Sequence, residues 1–280
     1  MRALAPEEVA QAFHAACLAE LSALKPGNVH VFAAGHGMET TQFEAAARAA
    51  APALSAPGPV GRRVRAAVEA SLAVAGCNTN LGIILLCAPL AVAAEGGRPL
   101  QARLTELLDG LNIADAEEAF RAIAAAAPGG LGASAEADVR APASVTLREA
   151  MALAADRDAI AKQYVTGYAG LFALGVPALA GGPLERGRIE DAYLAFLATL
   201  PDSHIARKFG RATAEAVRLE AVDLLGRLGG LSPEARHDTL LAFDASLKAR
   251  GLNPGTSADL TVASIFAALI QERATSITAG

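Results

Sequence analysis

The stretch GCNTNLGIILLCAPLAV, Gly76 to Val92, decides the reading of the chain. Asn78, Thr79 and Asn80 favour turns and helix N-caps, where short polar side chains bond to nearby backbone. From Leu81 to Ala94 the sequence is almost wholly apolar for about four turns, which describes a helix buried on every side. A polar cap thus stands at the deep end of a core helix, and its free N–H groups and dipole suit an anion such as phosphate. The plain alternative is an ordinary capped core helix.

Outward from this stretch, composition sets the class. The 280 residues are 53% hydrophobic but only 4% aromatic, with no Trp, so the core is built from Ala, Leu, Val and Ile. Such an Ala-rich composition favours closely packed helices, and 280 residues make one large domain or two small ones. The net charge of −5 argues against a nucleic-acid partner. Cys17, Cys77 and Cys87 show no CxxC pair or disulfide pattern and read as reduced thiols of a cytoplasmic protein. Met1 to Val9 lacks a signal-peptide pattern, and the run after Leu81 is too short to span a bilayer, so no membrane partner is expected. No βαβ alternation, fixed-period repeat or Walker-type glycine loop is present.

In chain order, Val9, Phe13, Cys17, Leu21 and Leu24 recur at helical spacing, and Glu20 falls on that apolar face. A carboxylate there needs a partner or a chemical task. Lys25-Pro26-Gly27-Asn28-Val29-His30 then breaks the helix and brings a cation, an amide and an imidazole close to Glu20. Gly35-His36-Gly37-Met38-Glu39 forms a second polar cluster, before a helix opened by Thr40 or Thr41. Arg62, Arg63 and Arg65 read as a solvated basic face. A helix over Ala116–Ala126 is expected with Asp115 as its cap. The irregular stretch 128–145 is a candidate lid. One helix from the capping box Thr146/Glu149 through Leu171 is expected, with Asp156-Arg157-Asp158 midway along it. Asp202 to Gly210 gathers an acid, an imidazole and the cations Arg207 and Lys208. Asn253 to Asp259, including Ser257, turns into a final apolar helix.

The order of these clusters resembles the triphosphoribosyl-dephospho-CoA synthase family. The match lies in Glu20 with Lys25 to Asn28, Gly35 to Met38, Asn78 to Gly82, Asp202 to Gly210 and Pro254 to Leu260. Three departures stand out. Asn80 and Leu81 replace a His-Lys pair of better-known members, Glu39 replaces an Asp, and Gly255-Thr256 replaces a double Gly. Asp156 to Tyr164 is more similar to a branch from archaea and methylotrophic bacteria, which implies a place in tetrahydromethanopterin-type one-carbon metabolism.

The resemblance implies an all-α transferase, one compact domain over residues 1–280, that joins ATP to 3'-dephospho-CoA and releases adenine. Displacement at C1' of ATP passes through an oxocarbenium-like state and calls for a carboxylate, a base and an acid. Triphosphate calls for Mg²⁺, cations and helix N-termini. Glu20, Asp259 and His36 are the expected catalytic groups. Lys25, Gly27, Asn28, Asn78, Thr79, Asn80, Gly82, Arg207, Lys208 and Ser257 are expected to bind substrate, and Glu39 and Asp202 to hold Mg²⁺. Alanine at Glu20 is expected to abolish turnover at an unchanged melting temperature. The acceptor is expected to be dephospho-CoA or a pterin-pathway metabolite, and a homodimer is expected. Two other readings are a kinase or ligase on the same fold, giving ADP, and a non-catalytic helical binding protein.

Overall fold

The structure is a computed structural model and describes residues 1–33, 40–128 and 137–276. Its described part comprises helices α1 Pro6–Leu21, α2 Thr40–Ser55, α3 Val60–Ala75, α4 Leu81–Ala94, α5 Leu100–Asp109, α6 Ile113–Ala126 and α7 Leu147–Ala152. These are followed by α8 Ala159–Thr166, a π-helical turn Leu171–Gly175, α9 Val176–Leu179, α10 Arg186–Thr199, α11 Ser203–Phe209, α12 Arg211–Leu228, α13 Pro233–Ala249 and α14 Gly255–Thr275. No β-strand occurs among the described residues, beyond an isolated bridge between His30 and Ala33.

Helix α4 is buried nearly throughout, as its uniform hydrophobicity requires, and it packs against α14, α5, α3 and α2. Pro89 inside it has no N–H, so the carbonyl four residues back loses its helical donor. The Tyr164 hydroxyl donates to that carbonyl, Leu85 O, at 2.6 Å, and the Tyr168 hydroxyl donates to Leu86 O at 2.9 Å. Both rings are fully buried, so α8 and the turn after it are locked onto the weakest point of the core helix. At the α3–α6 crossing, a side chain at Gly61 would strike the Asp115 backbone. This main core gathers α1 to α9 and the body of α14, while a second cluster joins Tyr193, Leu194 and Leu197 of α10 to Val217, Leu224, Leu240 and Leu247.

Three local expectations change. The cap of α6 is Asn112, whose Oδ1 accepts from the N–H groups of Ala114 and Asp115; Asp115 sits at the third helical position and also accepts from Gly61 N–H. The segment from Thr146 to Leu171 is not one helix. Asp158 caps a new one by accepting from Ile160 and Ala161 N–H, and its bond to its own downstream backbone outcompetes helix continuation. Arg63 is not solvated: it is buried and pairs through both terminal nitrogens with Glu95 at 2.7 and 2.9 Å.

Candidate active site

A cleft of about 440 Å³ opens where the C-terminal end of α1, the N-terminal ends of α4, α8 and α14, and helices α6, α7 and α11 converge. Its size falls within the range of small-molecule sites, roughly 300–1,000 Å³. Three chemically distinct corners line it. Glu20, Asn28, Asn253 and Asp259 form an acidic and amide corner; Arg157, Asp158, Arg207 and Lys208 form a charged one; Phe120, Ile123, Leu147 and Met151 form an apolar wall.

The acidic corner is built on the loop after α1. Lys25 is completely buried, and its ammonium bonds to Glu20 Oε1 at 2.7 Å, Val29 O at 2.6 Å and Asn28 Oδ1 at 3.4 Å. Three acceptors match three N–H groups, so Lys25 is satisfied and orients Glu20 and Asn28 from beneath. The Asn28 amide then donates to Asn253 Oδ1 at 2.7 Å, tying this loop to the turn that starts α14. Burial raises Glu20 above the ordinary carboxylate range, and the Lys25 charge offsets part of that rise.

Asp259 stands in the first turns of α14, and its carboxylate lies on the backbone of Gly82 at the start of α4, where any side chain would collide with it. Residue 82 must therefore be Gly. The N-terminus of α4 faces a carboxylate of the protein itself. Asp259 has no hydrogen bond or ion pair among the described residues, and burial, together with the negative charges of Asp202 and Glu20, pushes it well above its ordinary value. The Asn78 side chain caps α4 by accepting from Leu81 N–H at 3.2 Å, while the buried Thr79 hydroxyl has no partner among the described residues. Cys77, just before them, is partly exposed, and its sulfur accepts from the Gln42 side chain at 3.9 Å.

In the charged corner Arg207 pairs with Asp158 at 2.7 Å, and Lys208 follows it on α11. The α8 cap thereby becomes part of the site. His204 also faces the cleft, its ring lying against Gly255.

The loop carrying Lys25 and Asn28 is held at every turn. Leu24 N–H donates to Glu190 at 3.3 Å, Pro26 O accepts from Tyr193 at 2.6 Å, and Gly27 N–H donates to Asp244 at 2.8 Å. Gly27 adopts φ of 81° against Pro254 and Leu247, a conformation and a contact that a side chain would disrupt. Asp244 also accepts from His30 Nε2 at 3.2 Å and from Lys248 at 2.9 Å. Phe32 N–H donates to His30 Nδ1, which leaves the proton on Nε2, facing Asp244. Burial and the Lys248 charge lower His30. Burial works to raise Asp244, but the bonds from His30, Lys248 and Gly27 outweigh it and leave the group below its ordinary value.

Of the expected residues, Glu20, Asn28, Asn78, Thr79, Gly82, Arg207, Lys208 and Asp259 meet in the cleft. Several others lie outside it. Lys25 is spent on Glu20, and Gly27 on Asp244. Asn80 turns away to donate to Ser71 at 3.0 Å. Asp202 is a correction: one oxygen accepts from His204 and Ile205 N–H, the other from Ser257 N–H and hydroxyl, so all four acceptor positions are filled and none is left for a metal. Ser257, its partner, is likewise structural. His36, Glu39 and residues 129–136 of the candidate lid lie outside the described residues. Sequence reading missed the site roles of Asp158, His204 and Asn253, although all three stood in polar clusters already noted. Nothing in the sequence marked the apolar wall.

An all-helical protein with buried carboxylates converging beside cations in one cleft belongs to the class of enzymes that handle charged small molecules. The chain is a member of the ATP:dephospho-CoA triphosphoribosyl transferase family, whose model matches residues 6–277. It is therefore a transferase, and neither the kinase nor the scaffold reading is favoured. A solved structure from Archaeoglobus fulgidus, named provisionally as a triphosphoribosyl-dephospho-CoA synthase, is similar at 25% identity and a TM-score of 0.63, over 82% of this chain and 98% of that one. No curated protein matches significantly. No described helix is long and apolar enough to cross a membrane.

Proposed function

We propose that the cleft transfers the triphosphoribosyl group of ATP to a hydroxyl of an acceptor nucleotide, 3'-dephospho-CoA in the family reaction. A bond forms between the acceptor oxygen and C1'. The C1'–N9 bond breaks, its electron pair leaves with adenine, and the hydroxyl proton passes to Glu20. The observation that carries this reading is the pair of cleft-facing carboxylates, Glu20 and Asp259, in a water-poor corner beside Arg207. Such a corner stabilises a cationic sugar centre while the triphosphate lies against Arg157, Arg207 and Lys208.

No group of three or more metal-ligand side chains occurs among the described residues. Mg²⁺ is commonly held by one or two carboxylates together with substrate phosphates and water. The unpaired Asp259 fits that donor set and would hold the ion, with Glu39 a second ligand expected from sequence; the ion would neutralise charge on the triphosphate. His36 is the acid proposed for the departing purine. We place the reaction in the cytoplasm, in keeping with three free thiols, two of them buried. The chain would act as one domain, and a homodimer would cover the exposed Leu219, Val222 and Leu225 of α12.

The test is adenine release from ATP, Mg²⁺ and dephospho-CoA, followed by chromatography with mass detection. Glu20→Gln keeps an acceptor for Lys25 but cannot take a proton, and kcat is expected to fall at least about 100-fold. Glu20→Ala is a poorer probe than the sequence implied, because it leaves Lys25 charged and buried without a counter-ion. Release of ADP in place of adenine, or full activity of Glu20→Gln, would overturn the assignment.

A further inference from the structure

The wall of the cleft made by α6 and α7 has no part in the chemistry above. We infer that it is an adenine subsite, taking the uncharged purine of ATP or of the acceptor nucleotide; this rests on ATP being the donor.

Three observations converge on a flat, neutral group that carries N–H donors. First, Phe120, Ile123, Leu147 and Met151 present apolar surface from two packed helices. An ion placed there would lose its water without gaining a partner. Second, the cations of the cleft lie elsewhere, on the α7–α8 turn and on α11, where Arg207 and Asp158 pair. A triphosphate has reason to lie on that side, which leaves the base for the wall. Third, α6 ends at this wall: Ala127 closes the helix in a left-handed conformation, φ 41°, and lines the cleft with Pro128. A helix C-terminus carries partial negative charge and backbone carbonyls, which repel phosphate and accept from an exocyclic amine. The carboxylate on this side, Asp138, is engaged by the backbone N–H of Arg140 at 2.9 Å and by its guanidinium. A left-handed alanine is uncommon, and such residues cluster where backbone is shaped for a ligand.

The experiment splits ATP into two probes, adenine and inorganic tripolyphosphate, each titrated calorimetrically into the full-length protein. Ile123→Glu places a charge on the wall at a partly exposed position, and Met151→Ala trims the wall without adding charge. Both are expected to weaken adenine binding at least tenfold and to leave tripolyphosphate within twofold. Arg207→Leu is expected to do the reverse. If adenine binds the wall variants as well as it binds the parent, or fails to bind the parent while ATP does bind, the subsite is overturned. If neither ATP nor tripolyphosphate binds, the donor reading fails with it. Inhibition kinetics then separate the two sources. Competition by adenine against ATP identifies the donor's base, competition against dephospho-CoA the acceptor's base, and competition against neither overturns the proposal.

Discussion

Two buried acid clusters flank the loop Leu24–Val29, and they differ in how their charge is balanced. In the anchor, Asp244 accepts from His30, Lys248 and Gly27, and it titrates below its ordinary value. In the cleft, Lys25 pairs with Glu20 alone, Asp259 has no partner among the described residues, and both carboxyls are pushed above their ordinary values. The same side-chain chemistry therefore stabilises the fold on one side of the loop and strains it on the other. Charge left uncompensated in a cleft is available to a cation, a proton or a developing oxocarbenium, and proteins commonly give up stability at such sites.

The sharpest way to break this contrast is at the anchor. Asp244→Ala strips Gly27, His30 and Lys248 of their partner and should cost about 3 kcal/mol, read as a fall in the urea midpoint. A loss below about 0.5 kcal/mol would mean that the anchor is not holding the loop. Next comes Asp259→Asn, which should abolish adenine release yet raise stability by about 0.5–2 kcal/mol, because it removes a half-buried, cleft-facing charge that has no partner among the described residues. If Asp259→Asn unfolds more easily than the parent, Asp259 belongs with Asp244 as a structural acid.

The smallest effect is on pH dependence, where the two clusters have opposite signs. Asp259 is raised in the folded protein, so its contribution is full at low pH and is lost as pH rises through its folded value. Parent and Asp259→Asn should therefore be equally stable near pH 4 and diverge toward pH 8, the variant being the more stable. His30 and Asp244 are lowered, so their contribution is full above the ordinary values of 6.5 and 3.8 and is lost as pH falls. Below pH 6.5 the protection of the Gly27 and Phe32 amides against hydrogen exchange, relative to the free-peptide rate at the same pH, should fall. Parallel pH profiles for parent and Asp259→Asn would remove the distinction.

Much of the fold was legible because its signals are local. The uniform apolarity of Leu81–Ala94 marked the core helix, and the capping box Thr146/Glu149 marked a helix start that the structure keeps. What was not legible depends on partners remote in sequence. Nothing near Arg63 announces Glu95, and nothing near Asp202 announces that Ser257 fills its second oxygen. The run Asp156–Asp158 read as charge midway along one helix, because a capping aspartate and a mid-helix aspartate have the same local sequence context. In the cleft, polar groups stood out as clusters between apolar runs. Phe120 and Met151 did not, since an apolar residue facing a cavity has the same helical spacing as one facing the core.

Cys77 turns the arrangement of thiols into an instrument. Cys17 and Cys87 are buried, and burial drives both thiols up, far from the thiolate form. Cys77 is the half-open member of the three and stands directly before Asn78 and Thr79 at the entrance to α4. A fluorophore attached there would label the native chain at one place, without any engineered cysteine, and would report occupancy of the cleft in real time.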